Sequence, residues 1–152
     1  MIKYFITDCD GVLTDGKYYY SKCGKEFVTF HANDSVAFNE LKSLGVEVIM
    51  ISSGNYQEIN RARARDLGVM FIHAPFGEKV DTVLSIGLDI NEVAYVGDCS
   101  DDVGMLQIAG ISFAPNSSLP QIKEKAKIVT SRGGGEGCIL EIVFILKNLG
   151  LL

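Results

Sequence analysis

Six short apolar, β-rich runs recur along this chain, separated by segments with helical spacing. The runs are "IKYFIT" (2–7), "VEVIMIS" (46–52), "VMFIH" (69–73), "EVAYVG" (92–97), "ISFA" (111–114) and "KIVT" (127–130). Between and after them, helices are expected over 34–45, 56–68, 79–87, 102–110, about 118–125 and 137–149. In the first, Val36, Ala37, Leu41 and Leu44 fall at helical intervals, and Gly45 supplies a natural stop. Strands apolar throughout, rather than on alternate residues, are buried on both sides. Alternating with helices, they imply a parallel sheet covered on both faces. The expected class is therefore α/β, a doubly wound parallel sheet. One segment breaks the alternation: "GKYYYSKCGKEFVTFH" (16–31) holds two β-rich runs around "SKCGK", the pattern of an inserted β-hairpin over about 17–30. With no linker, repeat or low-complexity stretch, a single domain over 1–152 is expected.

Composition excludes several classes. The 152 residues are 47% hydrophobic and 22% charged, enough to bury a core and too apolar for disorder. The net charge of −5 advertises no basic face, so no nucleic-acid partner is expected. The most apolar segment, "CILEIVFILKNLGLL", is short for a membrane span and carries Glu141 and Lys147, so no membrane partner is expected either. Four scattered cysteines without a CxxC pair, and no recognisable signal peptide, fit reduced thiols in a cytoplasmic protein.

The polar residues collect at the ends of the apolar runs, where ligands sit in open parallel sheets. Asp8 and Asp10 end the first run, Ser52-Ser53-Gly54 the second, and Asp98, Asp101 and Asp102 follow "VAYVG", while Lys79 begins a helix. Asp8 and Asp10 are two apart, so in extended chain both side chains point the same way. One aspartate at a strand end also serves as a cap or turn acid, and a lone Lys79 as a solvated helix-start lysine. Two same-facing acids beside a second acidic loop repel one another unless a cation intervenes. With only oxygen ligands on offer, that cation is hard, and Mg²⁺ fits best. Mg²⁺ typically shares such sites with phosphate. Ser53 and the Gly54 N–H at a strand-to-helix turn suit phosphoryl oxygens, and Lys79 their charge.

D-x-D-G-V-x-T-D-G at 8–16, Ser53-Gly54, Lys79 and G-D-x-x-x-D at 97–102 together resemble the four motifs of the haloacid dehalogenase-like phosphatase superfamily. "DGVLTDG", "NEVAYVGD" and "RGGGEG" (132–137) are similar to its capless branch. That branch includes octulosonate 8-phosphate phosphatases, nonulosonate 9-phosphate phosphatases and phosphatase-like tails of acylneuraminate cytidylyltransferases. The resemblance covers nearly the whole chain. It implies a Rossmann-like sheet without a cap domain and a phosphomonoester hydrolase working through an aspartyl-phosphate. It makes Asp8 the nucleophile and Asp10 the general acid and base. Mg²⁺ would lie between Asp8, the Asp10 backbone carbonyl and Asp98. Ser53, Gly54 and Lys79 would hold the phosphoryl group, with Asp102 orienting Lys79. By analogy Asn33, Asp34, Ser35 and Arg63 would reach the substrate, although "RARAR" (61–65) also reads as a solvated basic face.

The implied substrate is the phosphate of a 2-keto-3-deoxy sugar acid, octulosonate 8-phosphate or nonulosonate 9-phosphate. Two positions depart from the octulosonate pattern: Asn55 stands where an arginine is usual, and Glu136 near a usual tail arginine. A catalytically weak or inactive oligomerisation module, associated with a sugar nucleotidyltransferase, is the alternative. A signalling receiver would need an acceptor aspartate after the third core strand, and "FIHAPFG" has none. The apolar hairpin and terminal segment, with no room for a cap, predict a homo-oligomer. The resemblance implies a homotetramer whose hairpins gather centrally and whose tails approach neighbouring sites.

Overall fold

The structure, a computed structural model, describes residues 1–152. Six strands form one parallel sheet: β1 (Tyr4–Thr7), β4 (Glu47–Ser52), β5 (Met70–His73), β6 (Val93–Val96), β7 (Ile111–Ala114) and β8 (Ile128–Val129). Their order is β5-β4-β1-β6-β7-β8, so the chain moves outward one way from β1, returns, and moves outward the other way. The helices are α1 (Ala32–Ser43), α2 (Gln57–Leu67), α3 (Lys79–Ser85), α4 (Val103–Ile108), α5 (Pro120–Lys123) and α6 (Cys138–Asn148).

The apolar runs are continuous because each strand is buried on both sides. Phe5, Val48, Met50, Ala94 and Val96 join the larger core with residues of α1, α2 and α6. Their neighbours Ile6, Ile49, Ile51, Val93 and Tyr95 face the opposite way, into the core formed with α3 and α4. This two-sided coverage is the doubly wound arrangement that the sequence pattern implies. It places β1 centrally, with β6 beside it at the point where the strand order reverses.

Between β1 and α1, β2 (Tyr19–Ser21) and β3 (Gly24–Phe27) pair antiparallel as a separate two-stranded ribbon. The expected hairpin is present but short, and all of β2 is exposed. Other bounds shift for identifiable reasons. α1 starts two residues early because the His31 ring caps it, Nδ1 accepting the Asn33 N–H at 3.1 Å. The expected helix 102–110 becomes a 3₁₀ turn at Ser100–Asp102 followed by α4, because the Asp102 carboxylate draws in the N–H groups of Asp98 and Cys99. α5 keeps only Pro120–Lys123 of the expected 118–125, and β8 only two residues of "KIVT". No helix is long and apolar enough to cross a membrane.

Candidate active site

Ending at one sheet edge, β1, β4 and β6 deliver the acids, the serines and the second acidic loop to a common point. Asp8 is 5% exposed, and its Oδ1 accepts a hydrogen bond from Lys79 Nζ at 2.6 Å. Lys79, the first residue of α3, is 1% exposed and also donates to Asp102 Oδ1 at 2.7 Å. A third carboxylate, Asp101, brings its Oδ2 to 3.6 Å from the same ammonium and uses Oδ1 to accept the Gly77 N–H at 2.5 Å. Asp102 is saturated: besides Lys79 it accepts the Tyr95 hydroxyl at 2.5 Å and two backbone N–H groups at 2.9 and 3.1 Å. The ammonium is thereby fixed before any ligand arrives.

One lysine among three acids, with Asp98 close by, leaves a surplus of negative charge. Burial pushes the Asp8 carboxyl well above the usual range and the Asp102 charge adds to it, against the pull of Lys79. Burial and Asp102 likewise raise Asp98 to about 6. Tyr95 is raised well above its ordinary value, first by burial and then by the acids beside it. The ammonium is held charged: burial alone would lower it, but Asp8 and Asp102 raise it further.

Asp98 Oδ1 is buried without a hydrogen-bond partner, an orphaned anion where a hard cation would satisfy it. The chain also makes room for this carboxylate. Gly11 has φ +91°, and a Cβ there would come to 2.0 Å from Asp98 Oδ2. Asp8 and Asp10 line the same cavity as Asp98, so oxygen donors of the kind a hard divalent cation takes face one space. The trio whose ligand atoms lie within 4.8 Å of one another is Asp98, Cys99 and Asp102. It fits poorly, because Asp102 is already saturated and burial pushes the Cys99 thiol up, out of its thiolate form.

A cavity of about 290 Å³ opens over this cluster, bounded by Asp8, Asp10, Ser53, Gly54, Lys79 and Asp98. Six residues expected at a phosphoryl site thus meet in one place. Asp102 reaches none of this space; it is fully buried and acts on Lys79. Asn33, Asp34, Ser35 and Arg63 border neither this cavity nor its neighbour. Arg63 is half-buried, with its guanidinium 5.1 Å from the Phe30 ring centroid and 3.3 Å from Ser35 Oγ. The solvated-face reading of "RARAR" therefore does not hold for Arg63. Glu136 closes its own loop by accepting the Gly133 N–H at 2.8 Å. Tyr95, Tyr18 and Lys25 are additions, and Asp101, placed at this edge by the sequence, gains its partner in Lys79. Tyr95 is hidden in an apolar strand, and Lys25 in a hairpin whose sequence marks only its turn.

A family model described as haloacid dehalogenase-like hydrolase matches residues 77–138. The chain is also 33% identical over 145 residues to 3-deoxy-D-manno-octulosonate 8-phosphate phosphatase KdsC of Haemophilus influenzae, covering 93% of this chain and 80% of that protein. The chain belongs to the haloacid dehalogenase-like hydrolases. It is a phosphatase, similar at 28% identity to the KdsC protein of Salmonella typhimurium over 95% of this chain and 79% of that one. Among solved structures, the cobalt-bound deoxy-D-mannose-octulosonate 8-phosphate phosphatase of Haemophilus influenzae superposes with a TM-score of 0.88 at 32% identity, covering 98% of this chain and 90% of that one. The Moraxella catarrhalis octulosonate phosphatase, solved with magnesium, phosphate and KDO, superposes with a TM-score of 0.86 at 28% identity, covering 96% and 86%. The α/β fold expected of this hydrolase family is the fold observed.

Proposed function

We propose that this phosphatase hydrolyses the phosphomonoester of a 2-keto-3-deoxy sugar acid, octulosonate 8-phosphate ahead of nonulosonate 9-phosphate. The observation that carries the chemistry is Asp8 on the cavity floor, gripped by an ammonium that Asp101 and Asp102 hold in place. The names borne by its relatives favour the eight-carbon acid.

Asp8 attacks phosphorus, forming an aspartyl-phosphate as the bond to the sugar oxygen breaks. Asp10, at the cavity edge, gives that oxygen its proton and then takes one from the water that hydrolyses the intermediate. Lys79 balances the phosphoryl charge, and Ser53 with the Gly54 N–H orients its oxygens. Asp8, the Asp10 carbonyl and Asp98 would hold Mg²⁺, which supplies neutralisation of the gathered carboxylates and of phosphate charge. An inactive oligomerisation module has no use for so tightly fixed a lysine.

Assembly as a homotetramer, in the cytoplasm, completes the reading. Its support is the exposed aromatic surface of the hairpin: Tyr19 is 62% and Phe27 68% exposed. Turnover of octulosonate 8-phosphate and nonulosonate 9-phosphates, with and without Mg²⁺, tests it. Higher kcat/KM on octulosonate 8-phosphate, lost in excess chelator, is expected. Full activity in chelator, or preference for a neutral sugar phosphate, overturns it.

A further inference from the structure

Lys25 is out of place in its surroundings. Apart from Gly24, the strands of its hairpin are exposed, yet the Lys25 side chain is 4% exposed. The ammonium lies 4.2 Å from the centroid of the Tyr18 ring and donates to Asp10 Oδ1 at 3.0 Å. That is the one hydrogen bond the Asp10 carboxylate receives within the chain. Burying an ammonium against a single carboxylate is costly unless the geometry itself is useful.

The hairpin is clamped so that Lys25 reaches this position. Tyr20 and Tyr56 share a hydroxyl hydrogen bond of 3.1 Å, their rings edge to face at 6.0 Å. Gly24, immediately before Lys25, has φ +115°, and a Cβ there would come to 2.7 Å from the Tyr56 hydroxyl. Only glycine allows this approach. Lys25, Tyr18, Tyr20 and Tyr56 line a second cavity of about 220 Å³, which meets the phosphoryl cavity along Asp10, Tyr18 and Gly54, Asp10 giving the one acid of the three. Asp10 therefore stands at the junction between the phosphoryl group and the space beyond it, where a leaving group fits.

We propose that Lys25 is a positioning residue: it holds the Asp10 carboxyl toward the tyrosine-walled cavity, where the leaving oxygen must be protonated. This rests on the reading of Asp10 as the general acid. In the step concerned Asp10 enters protonated on Oδ2, with Oδ1 still accepting from Lys25. An Asp8 oxygen bonds to phosphorus, the bond from phosphorus to the sugar oxygen breaks, and the Oδ2 proton passes to that oxygen, leaving the Asp10 carboxylate paired with the ammonium. Without Lys25 the Asp10 carboxyl loses its hydrogen bond within the chain, and proton delivery suffers more than attack by Asp8.

Leaving-group dependence separates this role from a structural one. p-Nitrophenolate departs without a proton, whereas a sugar alkoxide does not. kcat/KM reports the steps up to phosphoryl transfer, for octulosonate 8-phosphate and for p-nitrophenyl phosphate. Lys25→Met should lower the sugar-to-aryl ratio about tenfold, and Lys25→Arg should restore it to within about threefold. Misfolding would lower both esters alike. Asp10→Asn should lower the ratio further, by about a hundredfold. A fall in Asp10→Asn without one in Lys25→Met overturns the inference alone. No fall in either variant overturns the general-acid reading with it. Should wild-type enzyme not hydrolyse the octulosonate, glucose 6-phosphate serves as the alkyl ester, and only the sugar assignment fails.

Discussion

The two ends of the active site are built in opposite ways. At the phosphoryl end, Asp8, Lys79 and Asp102 are 5%, 1% and 0% exposed, and they hang from the central strand, a helix start and a turn after β6. At the other end, Asp10 is held by Lys25, from a two-stranded ribbon whose outer residues are open to solvent. The first end is rigid because the sheet and two cores support it. The second depends on a hairpin of a size that is marginal alone in water. The proposed positioning of Asp10 by Lys25 assigns proton delivery to this second, less supported end. Substitutions at the two ends should therefore fail differently.

The largest effect belongs to the phosphoryl end. Asp8→Asn should keep the fold yet cut phosphate release by several orders of magnitude, on both sugar and aryl esters, since an amide cannot attack phosphorus. Steady-state phosphate assays check this, and near-normal turnover would break the comparison at its stronger end.

An intermediate effect belongs to the hairpin. Tyr19→Asp or Phe27→Asp should yield smaller particles by light scattering, with activity on large sugar phosphates reduced severalfold and protomer melting little changed. Both side chains are mostly exposed and lie outside the two cores. An unaltered particle mass would mean that the hairpin surface is not an interface.

The smallest effect lies behind both ends, at the start of α1. Asp34 is 2% exposed with neither carboxylate oxygen hydrogen-bonded, and burial lifts it to about 7 despite the opposing charge of Arg63. The folded chain thus keeps a proton that the unfolded chain releases nearer the ordinary value of 3.8. This contribution to stability is full below that value and is lost as pH rises through about 7. With Mg²⁺ saturating, melting temperatures from about pH 5 to 8 should fall in wild type and fall less in Asp34→Asn. Parallel slopes would contradict the buried, protonated state.

The same contrast governs what the sequence reveals. Continuous apolar runs announce a sheet covered on both faces, and acids at run ends announce the phosphoryl site, because both follow from periodicity and charge. Lys79 and Asp102 are legible by position and charge, but their pairing is implied by the family resemblance, and a hydrogen bond joins them. Tyr95 is not legible, since a tyrosine in "VAYVG" reads as core until its hydroxyl is seen on Asp102. Lys25 is not, since its neighbourhood depends on how a hairpin folds back over Asp10, a long-range placement with no local signature. Arg63 lies against Phe30 and Ser35 rather than in a cavity, and spacing along α2 alone could not decide that.

If Asp8 is the nucleophile, it carries the phosphoryl group between the two half-reactions. Enzyme turning over octulosonate 8-phosphate with Mg²⁺, quenched in acid across the first turnover and digested, should yield a phosphorylated peptide containing Asp8. Its label should be released by hydroxylamine, as an acyl phosphate requires, and should be absent from Asp8→Asn. A phosphoryl group on any other residue, or steady turnover with no labelled peptide at any quench time, would contradict the account.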